Sequence, residues 1–246
     1  MGNSKEKIKS IAPISIHAKA ISLIQNEPPG KVLDIPCGEG YASEKLNGLG
    51  FQVYAADIIE PPSKLCNIVE FKQIDMNFPV SYQADFFDYI YCIEGIEHIE
   101  NPFHVVSEFY RILKPNGKLI ISTPNLLNVY RRLRYFILGY SDWFHERINL
   151  IETHNISPSL TLHISPLTFP TLYFILRTRG FVIESTTTNQ YIYARKNVFI
   201  KIIFLMIHFF LKSFTSLFRP KLALKEILLS KELFFGENLI IKARKD

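Results

Sequence analysis

The segment Lys31-Val32-Leu33-Asp34-Ile35-Pro36-Cys37-Gly38-Glu39-Gly40 restricts the fold of this chain more than any other. Val32 to Ile35 reads as a short buried strand. It breaks into a glycine turn, and a helix is expected from about Tyr41 to Leu46. Two glycines separated by one residue let the backbone approach a ligand, because no Cβ blocks the way and a positive φ is tolerated. The following helix aims its free N–H groups into the same crevice, and Asp34 adds an acceptor at the strand's end. A turn of this kind after a first strand is a nucleotide-binding site in open α/β sheets. Taken alone, a Gly-x-Gly turn also closes strands for purely structural reasons, so the weight falls on what lies downstream.

Downstream, apolar strands and helices alternate. Phe51 to Ala56 is a second strand, ended by Asp57. An acid about 20 residues past a glycine turn is placed to accept from ribose hydroxyls, and Asp57 stands near that distance. Ile68 to Ile74 is a third strand running into Asp75-Met76, and Phe87 to Ile93 a fourth running into Glu94-Gly95-Ile96-Glu97-His98. Phe103, Val106, Phe109, Tyr110 and Leu113 recur at helical period, and Lys114-Pro115-Asn116-Gly117 stops them with a turn. Lys118 to Ser122 is a fifth strand, closed by Thr123-Pro124-Asn125. This alternation predicts a mostly parallel sheet with ligand at the C-terminal ends of its strands.

The series VLDIPCGEG, AAD, IDM, FDYIYCIEGIEHIENP and LKPNGKLIISTPN resembles the class I S-adenosylmethionine-dependent methyltransferases, in the branch with a Glu-His pair and Asn-Pro after the fourth strand. The likeness is continuous over residues 31–125 and resumes more weakly at 167–184 and 237–245. It implies a Rossmann-like, mostly parallel seven-stranded sheet with helices on both faces. It also implies S-adenosylmethionine as cofactor, with Asp34, Pro36, Cys37, Gly38 and Gly40 around its methionine part. Asp57 and Ile58 would lie at the ribose, Asp75 and Met76 at the adenine, and Cys92, Ile93 and Glu94 along the reacting sulfonium. Pro36 stands where the family has glycine. It removes an N–H, so a reshaped turn is expected rather than a lost site. A dinucleotide site would need a third glycine where Ser43 stands, and Glu39 in the turn suits a cationic ligand better than a pyrophosphate.

Composition fits one domain, 1–246, with an apolar fraction of 48% and a net charge of +5. Three cysteines without metal-ligand spacing suggest a reduced, cytoplasmic protein and no metal site. Met1 to Ser10 is polar and basic with no apolar stretch behind it, so no leader is expected. Basic residues are not interleaved with aromatics on a nucleic-acid module, so nucleic acid is not an expected partner.

The second half departs from a minimal member of the family. Asn128 to Gly139 reads as a short helix whose arginines, Arg131, Arg132 and Arg134, either form a solvated face or meet an anionic group. Leu167 to Gly180 is a helix, Phe181 to Ser185 a strand and Glu237 to Lys245 the final strand. Between these last two strands lies a hydrophobic helical insertion, 186–236, centred on Val198 to Phe218. At about 100° per residue, Lys201, His208, Lys212, Thr215 and Arg219 form one narrow polar stripe broken only by Leu205. Three readings stay open: a helix lying on a membrane, a lid or dimer face, and a span. Lys212 and His208 argue against the span, and flanking Arg195, Lys196, Arg219 and Lys221 suit anionic headgroups.

Methyl transfer asks mainly for in-line placement and exclusion of water; a weakly acidic oxygen nucleophile adds the need for a base. His163, in the long loop after the fifth strand, is the first candidate and His98 the second; His145 and His154 are further histidines in reach. Tyr140 to Phe144 would line an apolar pocket. The expected activity is O-methylation of a small molecule, an envelope glycan or a lipid-linked acceptor at the cytoplasmic face of a membrane. The alternatives are a quinone-like prenylated phenol as acceptor, or a non-catalytic cofactor-binding interaction subunit.

Overall fold

The computed structural model describes residues 12–60, 63–139, 163–193, 198–217 and 225–246. The expectations for Met1 to Ser10, Tyr140 to Phe144, His145, His154, Arg195, Lys196, Arg219 and Lys221 lie outside the described residues.

Among the described residues, seven strands form one sheet in the order β3-β2-β1-β4-β5-β7-β6. The elements run α1 (Ile14–Ser22), β1 (Lys31–Asp34), α2 (Tyr41–Gly48), β2 (Gln52–Asp57), α3 (Ser63–Cys66), β3 (Glu70–Gln73), β4 (Phe87–Cys92), a 3-10 turn (Ile96–His98) and α4 (Pro102–Ile112). Then come β5 (Leu113–Pro124), α5 (Val129–Leu138), α6 (Phe169–Thr178), β6 (Phe181–Thr187), α7 (Val198–Leu217), α8 (Lys225–Leu228), α9 (Lys231–Phe235) and β7 (Asn238–Lys245). β3, β2, β1, β4 and β5 are parallel neighbours, whereas β7 is antiparallel to both β5 and β6. The chain moves outward from β1 to β3, then returns to β1's other side at β4. That reversal leaves a crevice at the strands' C-terminal ends.

The continuous apolar runs exist because the central strands are covered on both faces. Alternate residues divide between them: Tyr89 and Tyr91 pack with Ile16, Ala20 and Leu46 on one side, while Ile90 and Cys92 pack with Val105, Phe109 and Leu172 on the other. Asn101 caps α4 by accepting from the His104 amide, with Pro102 at the first helical position.

Three expectations shift in detail. β3 is shorter than Ile68 to Ile74, as suits an edge strand with exposed ends. Lys114–Gly117 does not separate helix from strand: Leu113 already pairs with Phe87, and Lys118 with Tyr89. The Pro-Asn-Gly turn loops out between those two pairs, with Asn116 at φ 62. The polar stripe of α7 is also divided, with Lys212 exposed and Lys201 partly buried. Its centre, His208, is buried against Phe234 and Phe235 of α9, and its Nε2 lies 2.7 Å from the Leu229 carbonyl. No described helix is long and apolar enough to cross a membrane.

Candidate active site

The crevice is built first by backbone. After β1 the Ile35–Pro36 peptide is cis, and Gly38 and Gly40 take φ 53 and 88. Gly40 caps α2 in the left-handed region, where a Cβ would also fall 2.4 Å from a Leu65 methyl. Pro36 lacks an N–H, but its neighbours hold the turn: the Cys37 amide donates to Ala56 O at 2.9 Å and the Gly38 amide to Asp57 Oδ2 at 2.8 Å. Pro36 lies against Gly95 on the far side of the crevice, where a Cβ would meet its ring at 2.3 Å.

Carboxylates then mark the strand ends. Asp34 is buried beneath the turn and accepts from Ser43 Oγ at 2.6 Å. Burial pushes its pKa up to about 7, against the pull of the Ser43 bond. Asp57, the last residue of β2, also accepts from the Ile59 amide, with half-exposed Ile58 between them. Asp75, just past β3, accepts from the Asn77 amide, and Met76 beside it is buried. Across the switch point, Cys92 and Ile93 are buried, and burial pushes the thiols of Cys37 and Cys92 up, so neither is a nucleophile at neutral pH.

Glu94 sits at φ 52, an uncommon conformation for a residue with a Cβ. Its carboxylate accepts from Ser122 Oγ at 2.8 Å and Asn238 Nδ2 at 3.0 Å, which fixes it from β5 and β7. Burial raises its pKa, and those two bonds oppose the rise.

The acceptor side gathers around the 3-10 turn. His98 and His163 stack with ring centroids 4.6 Å apart. His163 Nε2 lies 3.9 Å from Glu97 Oε1. The Ser165 amide donates to Glu97 O and its hydroxyl to Ile99 O, pinning the His163 segment to the turn. Burial, then the charge of His98 and of Arg131, lowers His163 to about 4. Burial, then the charge of Glu94, holds Glu97 well above the carboxylate range. Both Glu97 carboxyl oxygens are buried without a hydrogen-bond partner among the described residues. Glu97, His98 and His163 offer donor atoms within 4.8 Å of one another, a set that could hold a cation. The expectation of no metal site rested on cysteine spacing, which cannot reveal a group that a distant histidine completes.

Several residues of this site were not singled out from sequence. Ser43, Ser122 and Asn238 are recognisable only once the strands are in register. Arg131 is not part of a solvated helix face, since its charge acts on both Glu94 and His163. Arg132 is structural: its guanidinium lies 5.2 Å above the Phe234 ring and donates to Leu228 O. His17, on α1, reaches Tyr91 Oη at 3.1 Å and stands 5.4 Å from the Tyr41 ring, beside the start of α2.

The donor set fits S-adenosylmethionine. Acids end β2 and β3 where hydroxyl and amino groups would need acceptors. Two glycines leave the turn without side chains, and the turn carries Glu39 but no basic residue to meet a pyrophosphate.

A family described as a methyltransferase domain matches residues 14–186. The ubiquinone biosynthesis O-methyltransferase of Xanthomonas axonopodis pv. citri is 34% identical over 108 residues, 40% of this chain and 45% of that protein. The one from Idiomarina loihiensis is 29% identical over 136 residues, 50% of this chain and 54% of that protein. The chain thus spans about half the length of these curated relatives. Among solved structures, a SAM-dependent methyltransferase from Archaeoglobus fulgidus superposes with a TM-score of 0.61 at 19% identity, covering 94% of this chain and 93% of that one. An S-adenosylmethionine-dependent methyltransferase from Mesorhizobium loti gives 0.56 at 15% identity, covering 94% and 98%. These structural likenesses establish the fold. With the family match over most of its length, the chain belongs to the methyltransferase domain family.

Proposed function

We propose that this enzyme O-methylates a small acceptor held at a membrane surface, a lipid-linked intermediate or an envelope-glycan sugar, on the cytoplasmic side. When bound, the cofactor supplies a methyl group on a sulfonium that is already a good electrophile. The chain's own residues then place the acceptor and manage its proton. Asp57, Ile58, Asp75 and Met76 would hold the adenosine part, and Gly38, Gly40 and Glu94 the methionine part.

The observation that carries the acceptor-side assignment is the His163 cluster. Burial holds His163 at about 4, so its ring is neutral at pH 7. Such a base keeps a proton only briefly and serves best against a hydroxyl that is itself acidic. His98 supports the ring by stacking on it.

A second reading, methylation of a quinone-like prenylated phenol, is favoured by that same low pKa, because a phenol is far more acidic than a sugar hydroxyl. The relatives, ubiquinone biosynthesis O-methyltransferases, point the same way. The test is release of S-adenosylhomocysteine from purified enzyme given fractionated membrane lipid, soluble glycan or prenylated phenols. Turnover only with soluble acceptors that are neither glycan, lipid-linked nor prenylated would overturn both readings.

A further inference from the structure

Helix α7 is the largest unexplained feature of the surface. It holds to the body by one stripe, Phe204, His208 and Leu211, packed on Phe234 and Phe235 of α9. Apart from Lys201, Lys212 and Ser213, the described remainder of its circumference is apolar, and most of it is exposed. Phe199 is 80% exposed, Met206 65%, Phe209 73% and Phe210 68%. A groove of about 420 Å³ runs between Ile202, Leu205, Met206, Phe209 and Phe210. Soluble monomers rarely expose an apolar surface of this extent without a partner for it.

Charge identifies the partner. Between Glu184 and Glu226 the sequence holds no acidic residue, but it holds Arg195, Lys196, Lys201, Lys212, Arg219, Lys221 and Lys225. An interface between two copies about a twofold axis would set Lys201 and Lys212, in a stretch without acids, against themselves. An anionic surface meets these lysines and the apolar face together. A span is excluded by the inward stripe: one face of α7 is committed to α9, and Lys212 is exposed beside it.

We propose that the outer face of α7 is a membrane-docking surface that seats in the acyl region of an anionic leaflet, with Lys201 and Lys212 at headgroup depth. This deepens, and for its purpose rests on, the reading of the acceptor as membrane-held. Of the polar stripe, His208 faces the body, while Lys201 and Lys212 flank the contact with α9. The helix is a wedge between the catalytic domain and the lipid.

The experiment is flotation of the full chain with vesicles of phosphatidylcholine alone or mixed with phosphatidylglycerol. The bound fraction should rise with phosphatidylglycerol and fall with salt. Phe209→Asp with Phe210→Asp, both on the exposed face, should cut binding at least about tenfold and leave S-adenosylmethionine affinity unchanged. Lys201→Glu with Lys212→Glu should abolish the preference for the anionic lipid. If the wild type floats with no vesicle, or the Asp pair floats as well as the wild type, the proposal is wrong. If the wild type sediments as a dimer that the Asp pair dissociates, the face joins two copies and the proposal is equally wrong. Turnover of a detergent-dispersed acceptor is measured in parallel. Docking without any turnover would overturn the functional reading alone, and turnover without docking the membrane surface alone.

Discussion

The two sides of the crevice are built by different means. The cofactor side is made by short stretches of chain: β1 runs into its glycine turn, and β2 and β3 each end close to an acid. Its key contacts are backbone, such as Cys37 N to Ala56 O and Gly38 N to Asp57 Oδ2. The acceptor side is assembled from segments far apart in sequence. His163 returns to stack on His98 and face Glu97, and the Ser165 amide ties its segment to the Glu97 carbonyl. A ligand shared by a whole family is met by a locally encoded frame. A ligand peculiar to one member is met by long-range contacts that can drift independently.

The largest expected effect separates the two sides. His163→Ala should lower turnover about 10²–10⁴-fold while cofactor affinity, measured by calorimetry, stays within about twofold. The wild-type dependence on neutral His163 should be flat from neutrality down to mildly acid pH and fail as pH drops through about 4. The variant should recover partly at high pH, where the acceptor ionises unaided. Normal turnover in His163→Ala with loss in His98→Ala would reverse the two roles.

The next effect concerns the buried acid under the turn. Asp34 is protonated more readily in the fold than in the unfolded chain, because its pKa rises from 3.8 to about 7. Its contribution to stability is therefore complete below the unfolded value and is lost as pH climbs through about 7. Asp34→Asn keeps an acceptor for Ser43 and removes that loss. The variant should gain on the order of 2–4 kcal/mol over wild type at pH 8 and match it near pH 4, as read by urea unfolding. Parallel pH profiles for the two proteins would show that Asp34 is ionised in the fold.

A smaller effect is expected at Asp57. Asp57→Ala removes the carboxylate that orders Gly38 and Ile59 and would meet the ribose. Affinity for S-adenosylmethionine should fall by about 1.5–3 kcal/mol. Unchanged affinity would move the ribose contact elsewhere and break the match between local motif and cofactor frame.

What could be read from sequence follows the same division. The order of β1 to β5 was legible because each strand is an apolar run closed by a residue with a chemical signature: Gly38 and Gly40, Asp57, Asp75, Glu94. The edge strand β3 was overextended because apolar Ile68 and Ile74 flank it without joining the ladder. α1 was missed, although Pro13 precedes it and Ile16, Ala20 and Ile24 recur at helical spacing. The cluster of Glu97, His98 and His163 was half legible. The Glu-His pair is local, but its neighbourhood with His163 depends on where a long loop returns. The orientation of α7 was not legible at all. Periodicity gives the stripe, and only α9, with Phe234 and Phe235 side by side, decides which way the stripe turns.

That last point yields the smallest expected effect. His208 contributes one hydrogen bond to the Leu229 carbonyl and a ring between two phenylalanines. His208→Leu keeps most of the packing and leaves that carbonyl without its partner, a loss of about 1 kcal/mol. Because α7 lies outside the central sheet, the cost should fall on docking of the helix rather than on global unfolding. Amide exchange in α7 should speed up about fivefold, while the urea midpoint and cofactor affinity hold. A drop in the global midpoint as large as the change in exchange would mean that α7 and the sheet unfold as one unit. The contrast between a locally encoded frame and a separately attached outer layer would then fail at its most exposed element.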